Sequence, residues 1–220
     1  LRLRGMELQQ RYSPTGRDAH RGCGAPGAAR RSGALPDAPG PAADQPRLRA
    51  AVIRHATDAD ISTVSSILQE AADWLTARGT PMWQCDELQP DRIASDVRAG
   101  QFYLAVYEGE PAGTIKFQLS DPEFWPDVPP DESAFVHRLA IRRQYAGRGV
   151  STALLSFACD EAERCGKRYL RLDCEASRHK LRAVYEAFGF QHHSDRSVGP
   201  YFVSRYQREV PHLRQSARRP

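Results

Sequence analysis

Apolar residues between Ile61 and Leu75 fall at Ile61, Val64, Leu68, Ala71, Ala72 and Leu75, the spacing of one helix face. Thr57-Asp58-Ala59-Asp60 reads as a capping box ahead of that stripe, and Gly79 and Pro81 punctuate its end. A shorter helix is predicted to start at Pro90, bury Ile93 and Val97, and stop at Gly100. The period then changes. Gln101 to Tyr107 and Ala112 to Leu119 alternate, which predicts an antiparallel hairpin across Glu108-Gly109-Glu110-Pro111. A loop with four prolines, from Pro122 to Pro130, carries Phe124 and Trp125; exposed aromatics there call for a partner.

Further strands are predicted at Ala51 to Arg54, Ala134 to Ile141 and Tyr169 to Cys174, and two more near Phe190 and over Tyr201 to Gln207. A helix from Val150 buries Ala153, Leu154, Phe157, Ala158, Ala162 and Cys165 before Gly166 ends it. Another presents Leu181, Val184, Tyr185 and Phe188 on one face and closes at Gly189. Hairpins mixed with crossover helices predict an α/β fold: a three-layer domain with a central mixed, mostly antiparallel sheet flanked by helices.

Composition marks the ends off from this body. Residues 1–50 hold nine of the 31 basic residues against four of the 27 acids, and are rich in Gly, Pro, Ala and Arg with almost no large apolar side chains. Such a segment cannot offset its ordering entropy, so a disordered extension is expected over 1–50, a domain over 51–210, and a frayed polar tail over 211–220. The net charge of +4 therefore sits on the extension, no basic face interleaved with aromatics appears in the body, and nucleic acid is not an expected partner. Five cysteines, Cys23, Cys85, Cys159, Cys165 and Cys174, have no metal-ligand spacing and suit a reducing cytoplasm. No apolar run is long enough for a membrane span, so no membrane partner and a cytoplasmic location are expected.

Between a predicted strand and a predicted helix lies Gln144-Tyr145-Ala146-Gly147-Arg148-Gly149. Two glycines one residue apart let the backbone curl its N–H groups inward at a helix N-terminus, where the dipole favours an anion. Alone, this spacing also describes an ordinary helix start. Its neighbours add information: RLAIRRQYAGRGVSTALL, then LRLDCEAS and VYEAFGF, in that order and separation. Together they resemble the GNAT superfamily of acetyl-CoA-dependent N-acetyltransferases over about residues 52–208.

The resemblance implies that acetyl-CoA is the co-substrate and that no metal is needed. It places the coenzyme at Gln144, Ala146, Gly147, Arg148, Gly149, Val150 and Ser151, whose amides would hold the pyrophosphate. Leu139, Ala140 and Ile141 would pair with the pantetheine arm as an added strand does. Ser151 stands where a third glycine is common. Arg178 replaces a frequent Asn at the start of the last helix, and is assigned to the coenzyme through a phosphate. Tyr185 matches the usual general acid, a phenol able to protonate a departing thiolate; the alternative is a core tyrosine with a satisfied hydroxyl. His137 is the leading base, with Glu132, Asp173 or a solvent relay as the other options. Cys174, on a strand facing a crowded interior, is no acyl carrier.

The acceptor implied is a primary amine of a small molecule or a peptide N-terminus. Trp83, Glu123 and Trp125, in the two regions where specificity is expected to reside, are candidate acceptor contacts through charge and cation–π attraction. A rival reading is a module that binds acetyl-CoA without turning it over. A homodimer is a frequent assembly in the resembled family.

Overall fold

The structure, a computed structural model, describes residues 51–211, so the expectations for residues 1–50 and 212–220, and Cys23, lie outside the described residues. Seven strands form one sheet in the order β1-β2-β3-β4-β5-β7-β6. They are β1 (Val52–His55), β2 (Phe102–Tyr107), β3 (Glu110–Gln118), β4 (Ser133–Ile141), β5 (Tyr169–Glu175), β6 (Gln191–Val198) and β7 (Tyr201–Glu209). Four helices flank them: α1 (Ile61–Thr76), α2 (Pro90–Arg98), α3 (Val150–Arg164) and α4 (His179–Ala187). Every strand pairing is antiparallel except β4 with β5. That one parallel pair follows from α3, the crossover that returns the chain to the same end of the sheet.

Strand alternation divides the core between two faces. On β2, Phe102 and Leu104 join Val64, Ile67 and Leu68 of α1 and Ile93 and Val97 of α2. Tyr103 and Ala105 turn the other way, into a larger cluster with Leu154, Leu155 and Ala158 of α3 and Tyr185 of α4. Leu154 is wholly buried there; truncating such a leucine to alanine costs about 2–5 kcal/mol. The predicted capping segment forms a 3-10 turn over Asp58–Asp60, in which Asp60 accepts from the Thr57 backbone and is gripped bidentately by Arg54 at 2.8 Å. Val184, expected on the inner face of α4, is instead 47% exposed, because α4 presents only Tyr185 squarely to the core.

Two local departures shape the centre of the sheet. Thr114 pairs with Ala140 but Lys116 pairs with His137, so β4 carries one extra residue and bulges. The bulge is taken up at Arg138, a non-glycine residue at φ 50°, a conformation that costs about 1 kcal/mol or more. It changes the phase of the strand. Before it, Val136 faces α3; after it, Leu139 and Ile141 do, while Ala140 packs under α1 and α2. Gly113 makes this possible, since a Cβ there would sit 2.7 Å from the Ile141 side chain and 2.9 Å from the Ala140 carbonyl. The second departure is that β4 pairs with β5 only from Ser133 to Val136, matched to Tyr169 to Leu172. Beyond that point the two strands separate.

Candidate active site

The separation of β4 from β5 opens a cleft whose walls begin at the first unpaired residue of each strand, His137 and Asp173. Both lie on the face away from α3, because their neighbours Val136 and Leu172 belong to the α3 cluster. His137 is bracketed. Its Nε2 lies 3.2 Å from Asp121 Oδ2, and its Nδ1 lies 3.8 Å from Asp173 Oδ1. Gln118 Nε2 also approaches the ring Nε2, at 3.3 Å, while donating to the Ser120 carbonyl at 2.9 Å. The Phe124 ring closes over the imidazole at 6.3 Å.

Asp121 comes from the Pro-rich loop and had no signal as a site residue in the sequence. An Asp-Pro pair does mark a turn, and that turn forms: Asp121 Oδ1 accepts the Phe124 N–H at 3.1 Å and its carbonyl accepts the Trp125 N–H. Nothing local announces the partner across the sheet. The Asp121 side chain is only 5% exposed, and although burial opposes its charge, His137 and the loop amides hold its carboxyl below the usual range. Asp173 goes the other way. Burial pushes it up to about 6, only partly countered by His137 and reinforced by the charge of Asp121. Its Oδ1 is buried without a hydrogen-bond partner.

These three residues are the one group among those described whose metal-ligand atoms lie within 4.8 Å of one another. Each carboxylate lies nearest a different ring nitrogen, Asp121 toward Nε2 and Asp173 toward Nδ1. The arrangement is that of an imidazole held between acids. Glu132, another candidate base, is occupied elsewhere, between Arg168 and Arg171.

Tyr185, on α4, lies on the α3 face of the sheet, in the cluster that holds Cys174 and packed edge-on against Phe190. It is 7% exposed, and desolvation, with the charges of Cys174 and Asp173 adding to it, raises its phenol well above the ordinary value. The group stays protonated across any physiological pH. Cys174 is buried as well, its thiol pushed up to about 11, which disfavours a nucleophilic thiolate.

Past Val136 no strand pairs with the β5 side of Leu139, Ala140 and Ile141. The chain then turns through Arg142, whose guanidinium holds Glu70 of α1 at 2.8 Å and the Pro111 carbonyl at 3.1 Å. Glu70 also accepts the Arg143 N–H at 2.7 Å, and Trp74 lies between the guanidiniums of Arg143 and Arg78 at 3.9 and 4.0 Å. Helix α1 thus fixes the entry to the glycine segment. Gln144 and Ala146 are exposed, and Gly147 and Gly149 take φ of 79° and 77° with open space where a Cβ would stand. The first bond inside α3 is from Ala153 N–H to the Gly149 carbonyl, so the amides of Val150, Ser151 and Thr152 face outward unpaired by the helix. This cradle fits a pyrophosphate.

Three expectations need correction. The Arg148 N–H is engaged by the Tyr145 carbonyl at 3.2 Å and its guanidinium sits 5.9 Å over Tyr107, so its amide is not free for an anion. Arg178 is not a phosphate ligand. Its guanidinium is consumed by Glu175 at 3.0 Å and by the carbonyls of Thr80 and Pro81 at 3.2 and 2.6 Å, tying the start of α4 to the connection after α1. Trp125 is no exposed acceptor contact, being 2% exposed with Arg171 and Arg205 5.3 and 4.7 Å from its ring. Trp83 is half-buried against the α1 and α2 cluster, and Glu123 is exposed near Asp121.

No helix among the described residues is long and apolar enough to cross a membrane. The chain is 27% identical over 138 residues, 60% of its own length and 77% of the other, to the uncharacterized N-acetyltransferase YesJ of Bacillus subtilis. An acetyltransferase of Listeria monocytogenes superposes with a TM-score of 0.62 at 22% identity, covering 73% of this chain and 95% of that one. The putative acetyltransferase yncA of Salmonella typhimurium, solved with acetyl-CoA, gives 0.57 at 20% identity over 73% and 94%. The sequence profile of the acetyltransferase (GNAT) family matches residues 67–190. The strand separation, the cradle and this match over more than half of its length agree: the chain belongs to the GNAT family and is an acyltransferase.

Proposed function

We propose that the protein transfers an acetyl group directly from acetyl-CoA to a primary amine that arrives as a cation. The observation that carries this reading is the cleft between β4 and β5, bordered by His137 with a carboxylate near each ring nitrogen; Tyr185, a protonated phenol on the α3 face, would serve it from the other side. The amides of Gly147, Gly149, Val150 and Ser151 would hold the pyrophosphate. The open edge of Leu139, Ala140 and Ile141 would take the pantetheine arm as an added strand and bring the thioester to the point where β4 leaves β5. Acids dominate the acceptor side, with Asp121, Asp173 and Glu123 around His137. They favour an ammonium over a neutral or anionic acceptor.

Attack by the free amine gives a tetrahedral intermediate whose collapse expels a thiolate. Tyr185 would protonate that thiolate, and its burial keeps it in the phenol form across physiological pH. A direct ternary route is favoured, since the buried Cys174 thiol is a poor nucleophile. Tyr185→Phe should lower turnover about a hundredfold while acetyl-CoA affinity, measured by calorimetry, stays the same. Thiol release from acetyl-CoA across a panel of primary amines is the direct test; binding without release for any amine would leave only a sensing role.

A further inference from the structure

We infer that Asp121, His137 and Asp173 form a binding site for a divalent transition-metal ion of the zinc type, and that this ion and the cationic acceptor exclude one another from the cleft. The metal site stands on geometry alone. The exclusion rests on the acetyl-transfer reading, which supplies the competing ligand. No step of that reading calls for a metal, so the ion is a competitor and not a cofactor.

The site begins with two lone pairs that face each other. Gln118 Nε2 donates one hydrogen to the Ser120 carbonyl at 2.9 Å and has a second to offer His137 Nε2 at 3.3 Å, which favours a ring nitrogen without a proton there. Asp121 Oδ2 stands 3.2 Å from the same nitrogen, buried and with no hydrogen-bond partner. A carboxylate oxygen and a bare imidazole nitrogen repel at that distance unless a cation joins them. Two donors on a tetrahedral zinc ion, with bonds of about 2.0–2.1 Å, stand roughly 3.3–3.4 Å apart. The His137–Asp121 edge already has that length. Gln118 can yield the ring nitrogen and keep Ser120.

Asp173 supplies the third donor. Its Oδ1 is also buried without a hydrogen-bond partner, and at 3.8 Å it is too far from Nδ1 for a hydrogen bond. One donor atom from each of the three residues lies within 4.8 Å of the other two. Closing onto one ion therefore moves the Asp173 carboxylate by roughly one ångström or more, and that oxygen has no hydrogen bond to break. The Asp121 side chain is 5% exposed, and a buried carboxylate oxygen without a donor is costly unless a cation compensates it. One imidazole with two carboxylates suits zinc or cobalt better than magnesium or calcium, which prefer oxygen alone. Three protein donors leave a fourth position to water, the pattern of an exchangeable ion. His137 is 20% exposed, so the ion has an entry path. It is the path of the proposed acceptor, because His137 and Asp173 are the first residues beyond the β4–β5 pairing.

The test uses the full chain, cleared of metal by chelation, with zinc ions as the probe and neither substrate present. Calorimetry should show a zinc ion whose affinity falls about a hundredfold or more in Asp121→Asn and in His137→Gln, at or beyond the upper end of what an outer-shell partner costs. Asp127→Asn, in the same loop but paired with Arg205, should leave that affinity unchanged. Cobalt in place of zinc, a measurement on the wild type alone, should give visible bands of nitrogen and oxygen ligation without the thiolate charge-transfer band that the exposed Cys85 would add. With an amine that is turned over, zinc should raise KM for the amine and leave kcat unchanged. No zinc binding, binding that survives both substitutions, or a cobalt spectrum with thiolate ligation overturns the site. Inhibition that excess amine does not relieve, or a gain of turnover with zinc, overturns the exclusion. If zinc binds as described and no amine is turned over, acetyl transfer fails and the metal site stands. If amines are turned over and zinc does not bind, acetyl transfer stands and the metal site fails.

Discussion

The Pro-rich loop sends two aspartates onto the same sheet, and the sheet treats them in opposite ways. Asp127 meets Arg205 as a bidentate pair, 2.6 and 2.9 Å, with Arg196 nearby, and its carboxyl lies well below the usual range because of Arg205. Arg205 also donates to the Phe124 carbonyl and to Ser194 and lies against Trp125, so every donor is spent. At the other end of the loop, Asp121 and Asp173 flank one imidazole, and each keeps a buried carboxylate oxygen without a hydrogen-bond partner. The first cluster is closed and holds the loop down. The second is left short of positive charge, which is what the proposed ammonium acceptor would supply. Charge balance, more than residue type, separates structural glue from candidate chemistry here.

The largest expected effect comes from opening the closed cluster. Arg205→Met keeps the apolar bulk beside Trp125 but removes the charge that holds Asp127 and the donors that serve Phe124 and Ser194. Removing one partner of a buried pair typically costs 3–5 kcal/mol, and because Asp127 is 46% exposed and can find water, the lower end applies, about 3 kcal/mol. For a domain of this size that is a fall in Tm of roughly 10 °C, readable by calorimetry. A fall of only a degree or two would mean that the loop is held by packing around Trp125 alone.

Asp173 should behave in the opposite sense. Its folded pKa, about 6, lies above its ordinary 3.8. The native state therefore binds the proton more tightly than the unfolded chain, and stability is lost as pH rises through 6. Asp173→Asn removes that loss. It should stabilise the fold by roughly 1–3 kcal/mol at pH 7.5 and by nothing near pH 3.8, while impairing turnover. Destabilisation at pH 7.5 would show the charge to be compensated and would erase the contrast with Asp127.

The sequence made some of this visible and hid the rest for a physical reason. Helical and alternating periods located α1, α2, α3 and the β2–β3 hairpin because burial acts on neighbours a few residues apart, and the glycine segment was readable because two positive φ values need glycine. The bulge was silent, since Arg138 adopts φ 50° without being glycine. Arg178 was misread because its partners, Thr80 and Pro81, lie far away in sequence. Trp125 looked exposed in a proline-rich stretch, yet the arginines on β5 and β7 that bury it could not be paired with it beforehand. Asp121 was missed for the same reason. His137, Asp173 and Tyr185 could be singled out one by one as candidates, while the charge imbalance around His137 exists only once the strands part.

The smallest effect is the sharpest control. Asp127→Asn removes one charge from the same loop as Asp121, a few residues away, and leaves the cleft alone. Asparagine keeps an oxygen for the buried Arg205 guanidinium, so only the half-exposed charge is lost, at about 1 kcal/mol. Its carboxyl is depressed in the folded protein, so that contribution is present above the ordinary carboxylate pKa and is lost only as pH falls through the still lower folded value. The Tm difference between Asp127→Asn and wild type should therefore be constant from pH 5 to 9, where that for Asp173→Asn changes across pH 6. The pH profile of kcat/KM should be the same in Asp127→Asn as in wild type. If Asp127→Asn shifts that profile, the loop transmits charge between the two clusters and they form one electrostatic unit; if it does not, a single loop serves two independent ends.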